Sequence, residues 1–217
     1  MQRGPFYIVE EFVSPLYCEE IVDDLVTKFT VPDTVGKSED ERHPIKMTRS
    51  DDQHEEILYA RFQQLVPDLE KYYGVEYKAT EEMAFEWFPT GSKGNFECGN
   101  SKYLRRKWLR VHDRDLTCVL FLTDFQNKVP FETDYEVYGG KLEFPQHYFG
   151  FNPQRGTLVV FPSDPHFINL TSEVLVGDLY QVRFHMATTK PYLYNPQRFP
   201  GNYTTWFEPI LEQTPKK

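Results

Sequence analysis

From Met83 onward the chain is cut into short runs of β-branched and aromatic residues, each closed off by Gly, Pro or Asn: MAFEWF, LTCVLFL, KLEF, TLVVF, HFINL and LYQVRFHM. Runs of this length and composition are strands rather than helices. Six or more of them, preceded by helical segments, predict a mostly β fold: a double-stranded β-helix, or jelly roll, with N-terminal helices packed on one sheet. Such a fold closes two antiparallel sheets into a cup, and a ligand can sit at its mouth. The 16% aromatic content and the 16 prolines fit the same picture of short strands and many turns.

Upstream, FYIVEEFVS reads as a strand leading into a helix, with Ser14 as N-cap and Pro15 at the first helical position. Leu16, Ile21, Val22, Leu25 and Phe29 form an apolar stripe, and Pro32 ends the helix. Residues 33–53 are polar and without periodicity, which predicts a mobile loop. His54 to Tyr73 is helical, with Ile57, Leu58, Phe62, Leu65, Leu69 and Tyr72 recurring every three or four residues. Pro67 is expected to kink or split that helix, and Gly74 to stop it. The whole of 1–217 is read as one domain: an N-terminal strand and helical part (1–82), a jelly-roll core (83–190) and a Pro- and aromatic-rich tail (191–217) lying on the surface or on a partner.

A net charge of −9 argues against nucleic acid as the main partner, because phosphate neutralisation needs a basic surface. The local exception is KYLRRKWLR (102–110), a solvated strand edge or an anion-binding patch. Cys18, Cys98 and Cys118 have neither disulfide nor zinc spacing, which suits a reducing compartment. MQRGPFYIVEEF lacks the apolar core of a secretory signal and no run is long enough to span a bilayer, so a cytoplasmic location without membrane attachment is expected. The glycosylation-like triplets at Asn169 and Asn202 are then coincidental.

The order RDLTCVLFLTD (114–124), YGGKLEF (138–144), FNPQRGTLVVFP (151–162), PHFINL (165–170), GDLYQVRFH (177–185) resembles the core of the Fe(II)/2-oxoglutarate-dependent oxygenases, in their prolyl 4-hydroxylase-like branch. The opening FYIVEEFVSPLYCEEIVDDL resembles that branch too, and short, tail-bearing members are similar to ones carried by large tailed bacteriophages. The resemblance implies Fe(II) and 2-oxoglutarate as cofactors, with iron held by two His and a carboxylate. It implies His166 as the distal iron ligand. It also implies a basic residue two places after Gly177 for the keto acid, where Leu179 stands. Arg183, on the same strand face as Leu179, is the candidate replacement, with Tyr180 beside it.

The proximal His-x-Asp pair is missing. Glu97 stands on the His position and Gly99 on the carboxylate position, in FECGNS (96–101). Glu97 and His166 are thus the candidate metal residues, and His112 is read as structural. Two functions follow from this reading. The first is a degenerate oxygenase-fold protein, a non-catalytic binding or assembly module with protein partners or copies of itself, such as a phage virion component. The second is a working hydroxylase or halogenase-like oxygenase with an altered metal site. A jelly-roll lectin or cupin-like binder is a third option.

Overall fold

The computed structural model describes residues 4–29, 45–47, 52–129 and 131–195. The chain opens on strand β1 (Tyr7–Val9) and turns into α1 (Pro15–Phe29). Ser14 Oγ accepts the backbone N–H of Tyr17 at 3.2 Å, satisfying one of the orphan donors of the first turn. The buried face is Cys18, Ile21, Val22 and Leu25. Leu16, expected in that stripe, is 71% exposed. Two residues back from Cys18 is about 200° around the helix, which is the opposite side.

Next come β2 (Ile45–Met47) and α2 (Asp52–Tyr73). The stretch 33–53 therefore contains a strand and the start of a helix, contrary to the expected loop. Three residues carry too little periodicity to announce a strand, and an open sheet edge decides the matter. The rest of that stretch lies outside the described residues, as do Pro32 and most of the tail. α2 runs unbroken through Pro67. A proline there costs about 3 kcal/mol, and burial of the flanking Val66 and Leu69 offsets it. Gly74 (φ +60) stops the helix, with the N–H of Val75 donating to the carbonyl of Glu70 at 3.1 Å. His54 ties the two helices together, its ring bonded to the Tyr17 hydroxyl (3.0 Å) and to Asp24 (2.9 Å).

The remaining strands are β3 (Tyr77–Thr80), β4 (Ala84–Phe88), β5 (Ser101–Leu104), β6 (Lys107–Arg110), β7 (Leu116–Phe121), β8 (Asp124–Phe125), β9 (Glu136–Gly139), β10 (Leu142–Phe144), β11 (Phe149–Phe151), β12 (Leu158–Pro162), β13 (Leu170–Thr171), β14 (Val174–Gly177) and β15 (Leu179–Thr188). The main sheet has the order β1-β12-β7-β15-β4-β2, with β3 also paired to β15. Its helix-side face is apolar: Phe184 meets Phe62 of α2 edge-on at 4.9 Å. The second layer is made of two three-stranded sheets, β11-β10-β13 and β14-β9-β8. The irregular stretch from Gly91 to Glu97 runs against it, through Gly91 N–H to Val174 C=O (2.7 Å), Gly94 to Thr171 (2.8 Å) and Glu97 to Asn169 (2.8 Å).

Between the layers the cup divides into two halves. Under β1 and β12 it is filled by phenylalanines around Phe6, which meets Phe144 at 4.8 Å and Phe149 and Phe151 at 5.4 Å. Under β7, β15 and β4 it stays open and polar. The start of the tail closes against this body, with Tyr192 and Tyr194 buried. No helix among the described residues is long and apolar enough to cross a membrane.

The paired glycines of YGGKLEF are required by geometry. Gly139 has φ +95, and a Cβ there would stand 2.2 Å from the carbonyl oxygen of Glu173. Gly91 has φ +84 but open space around it. Gly91→Ala is expected to lose about 1–3 kcal/mol from backbone strain. Gly139→Ala should lose clearly more, as a larger drop in the urea midpoint.

Candidate functional site

The open half of the cup is a cavity of about 730 Å³, and Arg183 lies at its base. β15 alternates as expected: Arg183 and His185 face the cavity, while Phe184 faces the helices. The Arg183 side chain is 8% exposed, and its guanidinium has three partners. Nε donates to Glu86 at 3.3 Å, Nη1 donates to Asn169 Oδ1 at 3.1 Å, and Nη1 stands 3.6 Å from the Glu97 carboxylate. Glu86, equally buried, also accepts from Gln181 Nε2 at 2.7 Å. Burial by itself would push Arg183 down, but the charges of Glu86 and Glu97 hold it above its ordinary value. It stays a cation inside the fold.

Of the residues expected to form the site, Glu97 and Arg183 come together. His166 does not join them. It sits on a single 3₁₀ turn (Pro165–Phe167), its ring bonded to Asp164 at 2.8 Å and lying 5.4 Å from the Tyr194 ring, outside the cavity lining. The residue that the fold sets opposite Glu97 is Asn169, with reciprocal backbone bonds of 2.8 and 3.0 Å. Asn169 is 1% exposed, which also removes it as a glycosylation site in the folded chain. Tyr180 faces the other side of the sheet, so it does not share a ligand with Arg183. His112 lines the rim of the cup, and slight burial together with Arg114 and Lys102 lowers its pKa. Cys98 is a free, half-buried thiol, which burial pushes up to about 12.

The sequence does not mark Asn169, Glu86 or Gln181 as site residues. The one available signal was the alternation of β15, which put Gln181 on the face of Arg183.

Do these residues fit an iron ion? A ferrous site needs three convergent donors with open positions beside them. Glu97 could supply one. Gly99 supplies none, and there is no room for a side chain: a Cβ would lie 2.8 Å from Thr117 Oγ1 and 2.9 Å from Ser163 Cβ. The two hydroxyls fill that space and bond each other at 2.7 Å. The Asn169 amide oxygen is taken by Arg183, whose own charge repels a cation. Among the described residues no group of three or more His, Cys, Asp or Glu is placed to hold a metal. The keto acid fares no better, since Leu179 is apolar and Arg183 is already matched by carboxylates. The residues do not fit the iron and keto-acid pair.

No family model and no curated protein matches the sequence. Solved structures do match. The viral collagen prolyl hydroxylase of Paramecium bursaria Chlorella virus-1, in its 2OG complex, superposes with a TM-score of 0.58 at 14% identity, over 86% of this chain and 97% of that one. A Pseudomonas putida prolyl-4-hydroxylase gives 0.57 at 14%, over 86% and 94%. The Trichoplax adhaerens prolyl hydroxylase, complexed with a hypoxia inducible factor peptide, gives 0.56 at 11%, over 85% and 84%. The fold is that of the prolyl 4-hydroxylase-like oxygenases. At such identities the likeness concerns the fold alone. The jelly roll with helices on one sheet, expected from the strand pattern, is present.

Two measurements probe this network. Glu86→Leu leaves Arg183 buried with only the more exposed Glu97 and is expected to cost about 3 kcal/mol or more, whereas Glu86→Leu with Arg183→Met should cost less than the single change. Denaturant melts of the two variants compare them directly. Nearby, His147 Nε2 donates to the carbonyl of His166 at 2.7 Å and its ring stacks on Phe167. Burial lowers its pKa below the ordinary 6.5. The unfolded chain then binds the proton at higher pH than the folded one. Stability should therefore fall as pH drops below about 6.5 and level off under the depressed folded pKa. A melt series from pH 7 to pH 5 should be flatter for His147→Phe.

Proposed function

We propose that the protein is a non-catalytic binding module on an oxygenase jelly roll, in which the guanidinium of Arg183 stands in for the ion. The observation that carries this reading is the position of Arg183 between Glu97 and Asn169. It balances the same carboxylate that an ion would use, and it does so with a charge that never leaves.

The mouth of the cup favours a protein partner. The hairpin β5–β6 stands over it, turning through Arg105 (φ +49) and Arg106 (φ +66), the double positive φ of a type I′ turn. Tyr103 of the hairpin and Phe96 of the preceding loop, 58% and 71% exposed, both line this mouth, with Lys102 beside them. Large exposed apolar side chains rimmed by charge are typical of contact surfaces. A polypeptide offering apolar and acidic side chains complements this one.

Anaerobic titration with Fe(II), and with Mn(II) as its redox-stable substitute, tests the reading. No stoichiometric binding is expected at millimolar metal, with or without 2-oxoglutarate. Gly99→Asp should not create a site, because the space beside it is filled. One equivalent of metal, tightened by 2-oxoglutarate and lost in Glu97→Ala, would overturn the proposal in favour of a working oxygenase.

A further inference from the structure

On the far side of the main sheet from the cup, a second cavity of about 580 Å³ opens between α1, the 131–136 loop and the start of β15. Its walls are aromatic. Trp87 of β4 and Tyr180 of β15 are cross-strand neighbours, with rings within 6° of parallel and centroids 6.3 Å apart. Phe131 and Tyr135 approach from the loop.

The charge is of one sign. Asp23, Glu132, Asp134, Glu136 and Asp178 line the cavity, and no Lys, Arg or His does among the described residues. Asp23 accepts the Tyr135 hydroxyl at 2.7 Å, and Glu136 accepts the backbone N–H of Glu132 at 2.7 Å. The field is felt locally: the bond to Asp23 and the neighbouring carboxylates push Tyr135 up to about 12. Arg155 lies 5.7 Å from the Tyr135 ring but is matched by Glu19 and Asp124.

A second, independent observation points to a ligand. Tyr180 is 5% exposed and lines this cavity, yet among the described residues its hydroxyl has no hydrogen-bond partner. Beside it the indole N–H of Trp87 is buried with no partner among the described residues, and a buried polar group of this kind normally has one.

We infer that this cavity binds an organic cation of the alkylammonium class. Aromatic faces attract such a cation through their quadrupoles, and a rim of like charges lowers its energy there further. The Tyr180 hydroxyl supplies an acceptor for an ammonium N–H. A metal ion is the poorer fit, since the carboxylates are spread around the rim and no three of the described acids converge on one point. The cation is either a free amine or the end of a lysine side chain. The inference is independent of the cup, none of whose lining residues reaches this cavity.

The test is calorimetric titration of the full chain at low salt with butylammonium chloride, using butanol as the neutral match. Saturable binding of the ammonium alone is expected. It should weaken roughly 2- to 30-fold in Trp87→Leu and also weaken in Asp178→Asn, with folding of each variant confirmed by circular dichroism. A blocked lysine (N-acetyl-lysine methylamide) that binds at least as well as butylammonium indicates a lysine side chain. Weaker binding of the blocked lysine indicates a free amine. Equal binding of butanol, no saturable binding of either ammonium, or binding unchanged in both variants would overturn the inference.

Discussion

A buried cation must be surrounded by its own counter-charges, and Arg183 imposes that requirement on the middle of this fold. Desolvating a guanidinium costs several kcal/mol, so the chain is arranged to answer it. Glu86 faces it from β4, Asn169 from the start of β13, and Glu97 from the loop that closes the cup. Each partner comes from a different part of the chain, so the ion pair joins the two layers. The register of β15 on β4, with Gln181 opposite Glu86, brings the carboxylate within reach of both Gln181 and Arg183.

β15 is the strand through which this constraint spreads. All ten of its residues are buried, so both of its faces must be satisfied by protein. One face is apolar and holds α2 through Phe184 and Phe62. The other is polar and forms the floor of the cup. Asp115 anchors the far end, accepting the N–H and hydroxyl of Thr188 (both 2.9 Å) and the N–H of Tyr192 (2.7 Å). The phenylalanines around Phe6 fill the remaining half of the cup, so the polar cavity is bounded by packed aromatic core rather than by solvent.

Much of the architecture was readable because it rests on local rules. The cap at Ser14 and the stop at Gly74 are set by backbone chemistry that neighbouring residues alone determine. The faces of β15 follow from an alternation of two. Failures came where a position depended on something distant. Leu16 is apolar and near the right spacing, but the sheet selected the face carrying Cys18. His166 has the residue type of a ligand, but a 3₁₀ turn directs it to Asp164, and cross-strand pairing hands the place opposite Glu97 to Asn169. Tyr180 is a different case: it faces another cavity than Arg183 through strand alternation, which the sequence itself carries.

By itself, the sequence determined the strand and turn grammar of a jelly roll, a property of residue type and short spacing, while the vacancy at Glu97 and Gly99 is what its resemblance to the oxygenases implies. Only the tertiary structure decided what became of that vacancy. Whether an absent ligand leaves a hole, a weak site or a filled core depends on which side chains from distant strands converge there. Here the hydroxyls of Thr117 and Ser163 fill the space beside Gly99, and Arg183, held by Glu86, stands 3.6 Å from the Glu97 carboxylate. Those contacts span separations in sequence that no local pattern encodes.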